Sequence, residues 1–491
     1  MRRRLAGLLL GLGLLAGCQS LTVPMNQPLP MNAAGEPDYA ANYGLAGTLT
    51  EQATAARPAA RSDLLVFVTF SGGGKRSSAF GHGALRGLRA IPVRPPGEEG
   101  WTLLDDVDYL AGVSGGSFPA AHYGLHRARH FETFRQDFLT RDINSYIWGT
   151  YLLPWNWDWL VNPLVGTNDY MARVYDQLMF HGATFADLQR QGAPMVSINA
   201  TDVVNETTFP FTNGLFGLLC SDLNSFPVAR AVAASNGFPI LFSPITLQNH
   251  AAQCGGRRPP NTPPHAWAEP ASVASRRAAL ARQADRYANV EETRWIHLMD
   301  GGIADNLALR GLLDSITVTT QNSPVFREIA LRTRRILILS VDGEAAPDRS
   351  LGRQRVVSGI GQVLNAVSGT EIDAYNFETL GLAAEMSQHL ATAFREVRCQ
   401  TAPVIAGRAC GDVQGQFVHV ALSGIDDPVW RARLEAIPTG LTIPDADVDA
   451  LVQYGEQLVR QHPAILAIAG AAGGVAAAPP ARAVARRARG G

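Results

Sequence analysis

A unit of strand, glycine turn and helix that occurs twice constrains this chain more than any other feature. Residues 64–70 are continuously apolar, aromatic or β-branched and lead into Ser71 and three glycines. Residues 107–113 form a second run, which leads into Ser114 and two glycines. Continuous apolar strands are typical of parallel sheets covered on both faces, and helical spacing follows each turn. The sequence therefore predicts an α/β fold with a mostly parallel central sheet between two helical layers.

Composition divides the rest of the chain into segments. Residues 63–315 form the predicted main domain, and its Gly-, Pro- and Ala/Arg-rich part at residues 248–292 is predicted to be a surface insertion. Residues 316–465 continue the alternation of strands and helices, which predicts an α/β extension packed on the same core. Two of its helices are predicted at residues 353–367 and 372–395. Residues 470–491 are rich in Ala, Gly, Pro and Arg and are predicted to be a disordered basic tail.

The charge balance excludes one broad class of partner. Lys and Arg together number 42 against 43 Asp and Glu, and no basic stripe occurs between the termini. Proteins that bind nucleic acids concentrate basic residues on one face, so we expect no nucleic-acid partner. Lys75 is the only lysine. A bias of the chain toward arginine explains that fact as well as a functional role does.

The amino terminus has the pattern of an export signal. Three arginines at positions 2–4 precede an apolar stretch at residues 5–15, whereas a spanning helix needs about 20 apolar residues. Leu-Ala-Gly-Cys at residues 15–18 resembles the lipobox of bacterial lipoproteins, in which the cysteine matching Cys18 is lipidated and becomes the first mature residue. The alternative is an ordinary secretory signal that happens to contain a cysteine.

The lipobox resemblance implies a cellular location. Residues 1–17 are then a removed signal peptide, and residues 18–62 are a lipidated cysteine with a flexible, Pro- and Gly-rich tether. Gln19 and Ser20 follow Cys18, without the Asp that retains many such proteins in the inner membrane. We therefore expect an envelope protein of the bacterial outer membrane, attached through its N-terminal lipid anchor.

The other four cysteines fit the same compartment, because an even number in an exported chain predicts disulfides. Proximity in the sequence favours Cys220–Cys254 and Cys399–Cys410 among the three possible connectivities. Free buried thiols are the alternative. No Cys-x-x-Cys or nearby pair of histidines accompanies these residues, so we expect no metal site.

The sharpest chemical signal is Gly-Val-Ser-Gly-Gly at residues 112–116. A G-x-S-x-G sequence between a buried strand and a helix is typical of a nucleophile elbow, because the tight turn needs small neighbours. The turn places the Ser114 hydroxyl at the head of a helix, where free N–H groups and the helix dipole favour developing negative charge. A plain strand-to-helix turn is the alternative.

The glycine loop at residues 71–76 has three possible interpretations. A dinucleotide-binding loop needs a third glycine where Ser77 stands, and a phosphate-binding P-loop needs a Ser or Thr where Arg76 stands. An oxyanion hole needs only glycine N–H groups near a nucleophile. We favour the oxyanion hole, because it explains the loop and Ser114 together.

A serine nucleophile needs a base, and the histidines are poor candidates. His389 lies in a predicted helix, His419 in a predicted strand, and His82 and His122 at helical positions that packing explains. Asp300 ends an apolar run and precedes two glycines, which predicts a position at the same sheet edge as Ser114. A fixed carboxylate bonded to the serine hydroxyl can act as the general base.

Together, residues 72–76, 112–116 and 300–302 resemble, in this chain order, the patatin-like phospholipases and the related cytosolic phospholipases A2. Residues 229–239 also resemble the Ala- and Arg-rich helix of that family and the Phe-Pro turn that follows it. Ser71 replaces the acidic residue of many patatins, so Ser-Gly-Gly-Gly-x-Arg is closer to the phospholipase A2 branch.

The resemblance covers about residues 64–312 and implies a patatin-like, three-layer α/β/α fold. It also implies a Ser114–Asp300 dyad without histidine, hydrolysis of acyl esters in phospholipids or lysophospholipids, and no cofactor. The implied oxyanion donors are the amides of Gly72, Gly73, Gly74 and Gly115. Arg76 and Lys75 would support the loop or bind an anionic headgroup. The alternative is a non-catalytic lipid-binding or envelope-assembly lipoprotein that keeps the fold.

Half of the eight tryptophans lie within residues 146–160. Tryptophan concentrates at membrane–water interfaces and also lines acyl pockets. Packing beneath a loop is a third interpretation, which we favour slightly. Contact with anionic lipid is one interpretation of the arginines in the C-terminal tail. We favour the other, in which the tail is disordered and solvated.

Overall fold

The computed structural model describes residues 25–40, 42–43, 63–93, 100–153, 157, 162, 165–190, 194–239, 241–260, 262–263, 273–318, 323–343, 345, 352–355 and 360–473. The predicted signal peptide, Cys18 and most of the predicted tether lie outside these residues, as does the tail from residue 474 onward. The first four residues of the predicted tail belong instead to the helix Pro463–Gly473.

One sheet of eight strands forms the centre of the molecule. The strands are β1 Leu64–Phe70, β2 Val107–Val113, β3 Met195–Asp202, β4 Thr207–Pro210, β5 Ile245–Gln248, β6 Trp295–Met299, β7 Arg335–Asp342 and β8 Gln414–Ala421. In spatial order the sheet runs β8-β7-β1-β2-β3-β6-β5, and β4 pairs with β3. The first five strands in that order are mutually parallel.

The two glycine-turn strands lie side by side at the centre. Every residue of β1 and β2 is buried, as their continuous apolar sequences require. Val66 pairs with Val107 of β2 on one side and with Leu337 of β7 on the other. Both turns therefore emerge at the same edge of the sheet, which brings the glycine loop beside Ser114.

Helices cover both faces of the sheet. The helices are α1 Gly74–Arg89, α2 Ser117–His126, α3 His130–Phe134, α4 Ile143–Leu152, α5 Thr167–Tyr175, α6 Phe185–Arg190, α7 Asn213–Leu218, α8 Val228–Ser235, α9 Val273–Ala288, α10 Gly302–Asp305, α11 Leu309–Val318, α12 Pro324–Arg332, α13 Ile360–Thr401, α14 Pro428–Glu435, α15 Asp445–Gln461 and α16 Pro463–Gly473. On one face, Phe70 packs toward α1, which also contacts α15, and α2 and α8 lie against β3. On the other face, α11 contacts β4, and α13 contacts β7 and β8.

The predicted α/β class and the mostly parallel sheet are confirmed, with one difference that matters for the site. The strand β6 is antiparallel to β3, with Thr201 opposite Met299. Asp300 therefore does not arrive on a parallel strand. It reaches the edge near Ser114 because β3 extends past the end of β2 and β6 runs back along it.

Both predicted disulfides are confirmed. Cys220 is bonded to Cys254 with a Cα–Cα distance of 5.9 Å, and Cys399 to Cys410 with a Cα–Cα distance of 4.9 Å. The second bond links the end of α13 to a short hairpin, in which residues 404–405 pair with residues 408–409. The first holds a turn at the end of α7 to the beginning of the segment that separates β5 from β6.

Candidate active site

Ser114 stands on a strained turn directly after β2. Its backbone φ is 49°, in the left-handed region that side chains other than glycine rarely adopt. The turn is so tight that a Cβ on Gly115 would lie 2.0 Å from the Gly74 carbonyl oxygen, and one on Gly112 would lie 2.4 Å from the Gly116 carbonyl oxygen. The predicted need for small flanking residues thus has a direct steric cause. Strain of this kind is characteristic of functional positions.

The serine hydroxyl donates to Asp300 Oδ2 at 2.9 Å. The carboxylate is held on its other side, since Oδ1 accepts from the Gly302 amide at 2.8 Å. The turn after Asp300 is equally crowded, because a Cβ on Gly301 would lie 2.1 Å from the Asn199 carbonyl oxygen. The structure therefore joins Ser114 directly to the carboxylate predicted to serve as its base.

Burial changes the acidity of this carboxylate. Removal from water raises the pKa of Asp300 to about 6, and the hydrogen bonds from the Gly302 amide and the Ser114 hydroxyl oppose the rise. A pKa in this range leaves the group ionised at neutral pH while bringing it closer to the affinity for a proton that a general base requires.

Two residues of this site were not predicted from the sequence. Asn236 Oδ1 lies 3.3 Å from the Ser114 hydroxyl oxygen, and Asn236 Nδ2 donates to the Tyr175 hydroxyl at 3.1 Å. Ser235 Oγ accepts from the Ser114 amide at 2.9 Å and donates to the Asn199 carbonyl at 2.6 Å. The available signal was the Ala- and Arg-rich helix α8, which ends at Ser235.

The glycine loop and the nucleophile turn meet end to end. Gly74 begins α1, and Gly115 lies in the short helical turn that precedes α2. The first N–H groups of a helix have no partner within it, so the amides of Gly73, Gly74 and Gly115 are placed to bind an anion beside Ser114. Gly73 and Gly74 have φ angles of 129° and 59°. The loop conformation is thus one that glycine adopts readily.

The geometry does not support Gly72 as a fourth oxyanion donor. Its amide already donates to the Asn306 carbonyl oxygen at 2.9 Å. Gly72 has a steric reason to be glycine instead, because a Cβ there would lie 2.2 Å from Asn306 Oδ1 and 3.4 Å from the Ser114 Cβ.

Arg76 and Lys75 fit support of the loop and do not fit contact with a headgroup. The Arg76 guanidinium is buried and donates to the carbonyl oxygens of Gly343, at 2.6 Å, and of Ile437. Lys75 is also buried, where its ammonium donates to the Arg141 carbonyl oxygen, and burial lowers its pKa to about 8. Both side chains fasten α1 to neighbouring loops.

The histidines lie in other places. His82 and His122 each contact the buried His130, at 2.9 and 3.0 Å between ring nitrogens, and burial lowers the pKa of His82 to about 3 and that of His122 to about 2. His419 lies 3.6 Å from Asp342. The packing interpretation of His82 and His122 agrees with these contacts.

Packing does not account for two of the tryptophans near residue 150. Trp148 on α4 is 61% exposed and Trp157 is 50% exposed. The start of α4 lies near the glycine loop, because the Asp142 carboxylate accepts from Thr442 in the segment that also contacts Gly74. The slightly favoured prediction of buried packing is therefore wrong for Trp148 and Trp157.

Within the described part of the chain, no helix combines the length and the apolar character required to cross a membrane. Within the same residues, no group of three or more His, Cys, Asp or Glu side chains has an arrangement suited to a metal ion.

The family model for patatin-like phospholipases matches residues 68–313, which is half of the 491-residue chain and contains the glycine loop, Ser114 and Asp300. The chain belongs to the patatin-like phospholipase family. No curated protein matches the sequence of this patatin-like chain.

Solved structures also resemble this patatin-like protein. Human GIVD cytosolic phospholipase A2 matches at 12% identity and a TM-score of 0.42, over 87% of this chain and 63% of the human chain. The same human enzyme in complex with a methyl gamma-linolenyl fluorophosphonate inhibitor and terbium chloride matches at 13% identity and a TM-score of 0.41, over 91% of this chain and 66% of the human chain. The patatin-like chain thus spans just under two thirds of the human protein.

Proposed function

We propose that this protein hydrolyses an acyl ester of a phospholipid or lysophospholipid through a Ser114–Asp300 dyad. The observation that carries the proposal is the 2.9 Å hydrogen bond from the Ser114 hydroxyl to a buried carboxylate. The strained φ of Ser114 and the two helix N-termini that meet beside it support the same chemistry.

In the first half of the reaction, Ser114 Oγ attacks the ester carbonyl carbon while Asp300 Oδ2 accepts the hydroxyl proton. The carbonyl oxygen becomes an oxyanion, which the amides of Gly73, Gly74 and Gly115 stabilise. The bond to the leaving alcohol then breaks, and Asp300 returns the proton to the departing oxygen. The products are an acylated Ser114 and a free alcohol or lysolipid.

In the second half, water replaces the alcohol. Asp300, again ionised, removes a proton from the water as its oxygen attacks the acyl carbonyl carbon. The same amides hold the second oxyanion. Its collapse releases a fatty acid and transfers the proton back to Ser114 Oγ. Each oxyanion donor of this kind is worth about 10²–10³ in rate.

Asn236 and Ser235 act in this scheme as positioning residues. Ser235 fixes the backbone of the nucleophile by bridging the Ser114 amide to the Asn199 carbonyl oxygen. Asn236 gives the hydroxyl a second neighbour at 3.3 Å. The side chain of Asn236 therefore helps to define the direction from which Ser114 attacks.

We further propose that the protein acts in the bacterial envelope, anchored to the outer membrane by lipid on Cys18. The export signal and lipobox in residues 1–18 support this location. The two disulfides are consistent with an oxidising compartment. A lipid anchor would keep the site close to its substrate.

A fluorophosphonate probe tests the activity, because it reacts with a serine only when that serine is activated. Wild type and Ser225→Ala, which alters an exposed serine, are expected to become labelled, whereas Ser114→Ala is expected to remain unlabelled. Phospholipid vesicles incubated with wild type should then release free fatty acid and lysolipid, detected by mass spectrometry. A folded wild type that is neither labelled nor active would favour the non-catalytic lipid-binding lipoprotein.

A further inference from the structure

A cavity of about 410 Å³ lies on the face of the sheet that is turned away from α1. Leu65 and Phe67 of β1 form part of its floor, whereas Phe70 points to the opposite face and packs against Gly81 of α1. Side chains alternate along a strand, so the cavity and α1 are on different sides of the sheet. The helices α9, α11, α12 and α13 form its other walls.

The cavity is separate from the Ser114–Asp300 site. Tyr109, which lines it, precedes Ser114 by five residues on β2. At about 3.3 Å per residue, Tyr109 is roughly 17 Å from Ser114 along the strand. Another lining residue, Pro210, is nearer, at two strand spacings or about 10 Å from Val113, because both pair with Asn199. Neither Ser114 nor Asp300 is among the described residues that line the cavity.

The walls are predominantly apolar and contain no basic side chain among the described lining residues. The one carboxylate that lines the cavity, Asp314, is paired with Arg276 Nε at 2.6 Å. A large apolar space is a poor site for water, and volumes of about 300–1,000 Å³ are typical of small-molecule sites. The chemistry of the interior therefore matches a hydrocarbon chain and excludes a charged group.

The cavity opens to solvent where polar groups are available. Ala40, Gly214 and Pro260 line it and are exposed. Arg257 and Arg258 directly precede the prolines of this rim and are paired with Glu36 at 2.9 Å and Asp285 at 2.7 Å. Two ion pairs, each an arginine with its own carboxylate, thus lie next to the rim of an apolar interior.

We propose that this cavity binds one long-chain hydrocarbon tail, with its polar head in solvent at the mouth. A fatty acid and a fatty alcohol share the chain and differ in the head. Each arginine beside the rim already has a carboxylate partner, so recognition rests on the chain. This inference goes beyond the proposed hydrolysis and does not require the dyad, because neither Ser114 nor Asp300 is among the described residues that line the cavity.

The test uses the full chain carrying Ser114→Ala, so that no turnover occurs, and the fluorescent fatty acid cis-parinaric acid as the probe. We expect saturable binding that palmitic acid and hexadecanol displace at concentrations within tenfold of each other. Displacement by palmitic acid alone would show that a charged head is recognised and would overturn recognition through the chain.

Two substitutions on α9 locate the binding site. Ala284 is buried and lines the cavity, whereas Ala279 is exposed on the same helix and does not line it. Ala284→Phe adds a ring within the cavity and is expected to weaken probe binding at least tenfold, while Ala279→Phe leaves it unchanged. If Ala284→Phe fails to fold, Leu390→Phe adds volume from the α13 wall.

Absence of saturable binding, or identical binding by the folded Ala284→Phe and Ala279→Phe proteins, would overturn the proposal. The second result would place the probe elsewhere on the protein. Because binding is measured in an inactive variant, its failure is independent of the fluorophosphonate test of the proposed hydrolase.

Discussion

Replacing Asp300 with asparagine should remove the base and leave the fold in place. Asparagine has nearly the same shape, and its amide can still contact the Ser114 hydroxyl and the Gly302 amide. It cannot accept the serine proton in the way that the carboxylate does. We therefore expect Asp300→Asn to fold normally and to lose most of its activity.

The size of the loss follows from the role of the group. A positioned general base contributes about 10²–10⁴ in rate, so kcat/KM should fall at least 10²-fold, which corresponds to about 3 kcal/mol of transition-state stabilisation. The pKa of Asp300 is about 6. In wild type the ionised fraction, and with it kcat/KM, should fall tenfold per pH unit below that value. The residual activity of Asp300→Asn should lack this acid limb.

Asp305 provides a matched control. It is also buried, its pKa is also raised to about 6 by burial, and it accepts from the amides of Leu309 at 3.1 Å and Gly311 at 3.2 Å. It makes none of the contacts that hold Ser114. Asparagine at position 305 can accept only one of these two bonds, so Asp305→Asn should be less stable. In its folded form it should keep kcat/KM within about tenfold of wild type and preserve the acid limb.

The assay is hydrolysis of a soluble short-chain ester between pH 4.5 and 8, with circular dichroism to verify folding. The reasoning fails if Asp300→Asn retains more than a tenth of wild-type kcat/KM with an unchanged acid limb. Loss of that limb in Asp305→Asn alone would assign the titration to the wrong carboxylate.

Three further predictions concern other parts of the molecule. Gly115→Ala should reduce kcat/KM at least 10²-fold, because its Cβ would lie 2.0 Å from a carbonyl oxygen of the glycine loop, whereas Gly381→Ala, with open space around it, should be neutral in the same ester assay. Cys18→Ser should shift the protein from the membrane fraction to the soluble fraction or leave its signal uncleaved, as cell fractionation and the mature mass would show; a cleaved variant that stays membrane-bound would argue against the lipid anchor. Replacing Cys399 and Cys410 with serine should lower the free energy of unfolding by about 3 kcal/mol, because the bond closes a sequence separation of 11 residues, and an unchanged urea midpoint would contradict that estimate.

The sequence predicts the central fold well because its signals are local. Residues 64–70 are buried without interruption, and they form β1 with the predicted bounds. The α13 helix, Ile360–Thr401, is different, because the sequence predicts separate helices at residues 353–367 and 372–395. Gly369 separates those two stretches, yet the helix continues through it. A single glycine inside a helix costs only about 1 kcal/mol, so its presence between two helical stretches does not by itself end the helix.

The same limit explains which parts of the site the sequence predicts. Ser114 and Asp300 can be found because each needs glycine neighbours that leave a mark in the sequence. Ser235 and Asn236 are marked only by their place between α8 and Gly237, which does not reveal a role. Their roles depend on how α8 approaches the nucleophile turn from more than a hundred residues away. The sequence also does not reveal that β6 is antiparallel to β3, because the apolar pattern of a strand does not depend on the direction in which the strand runs. Asp300 therefore lies at the predicted edge of the sheet, but on an antiparallel strand, as the pairing of β3 with β6 shows.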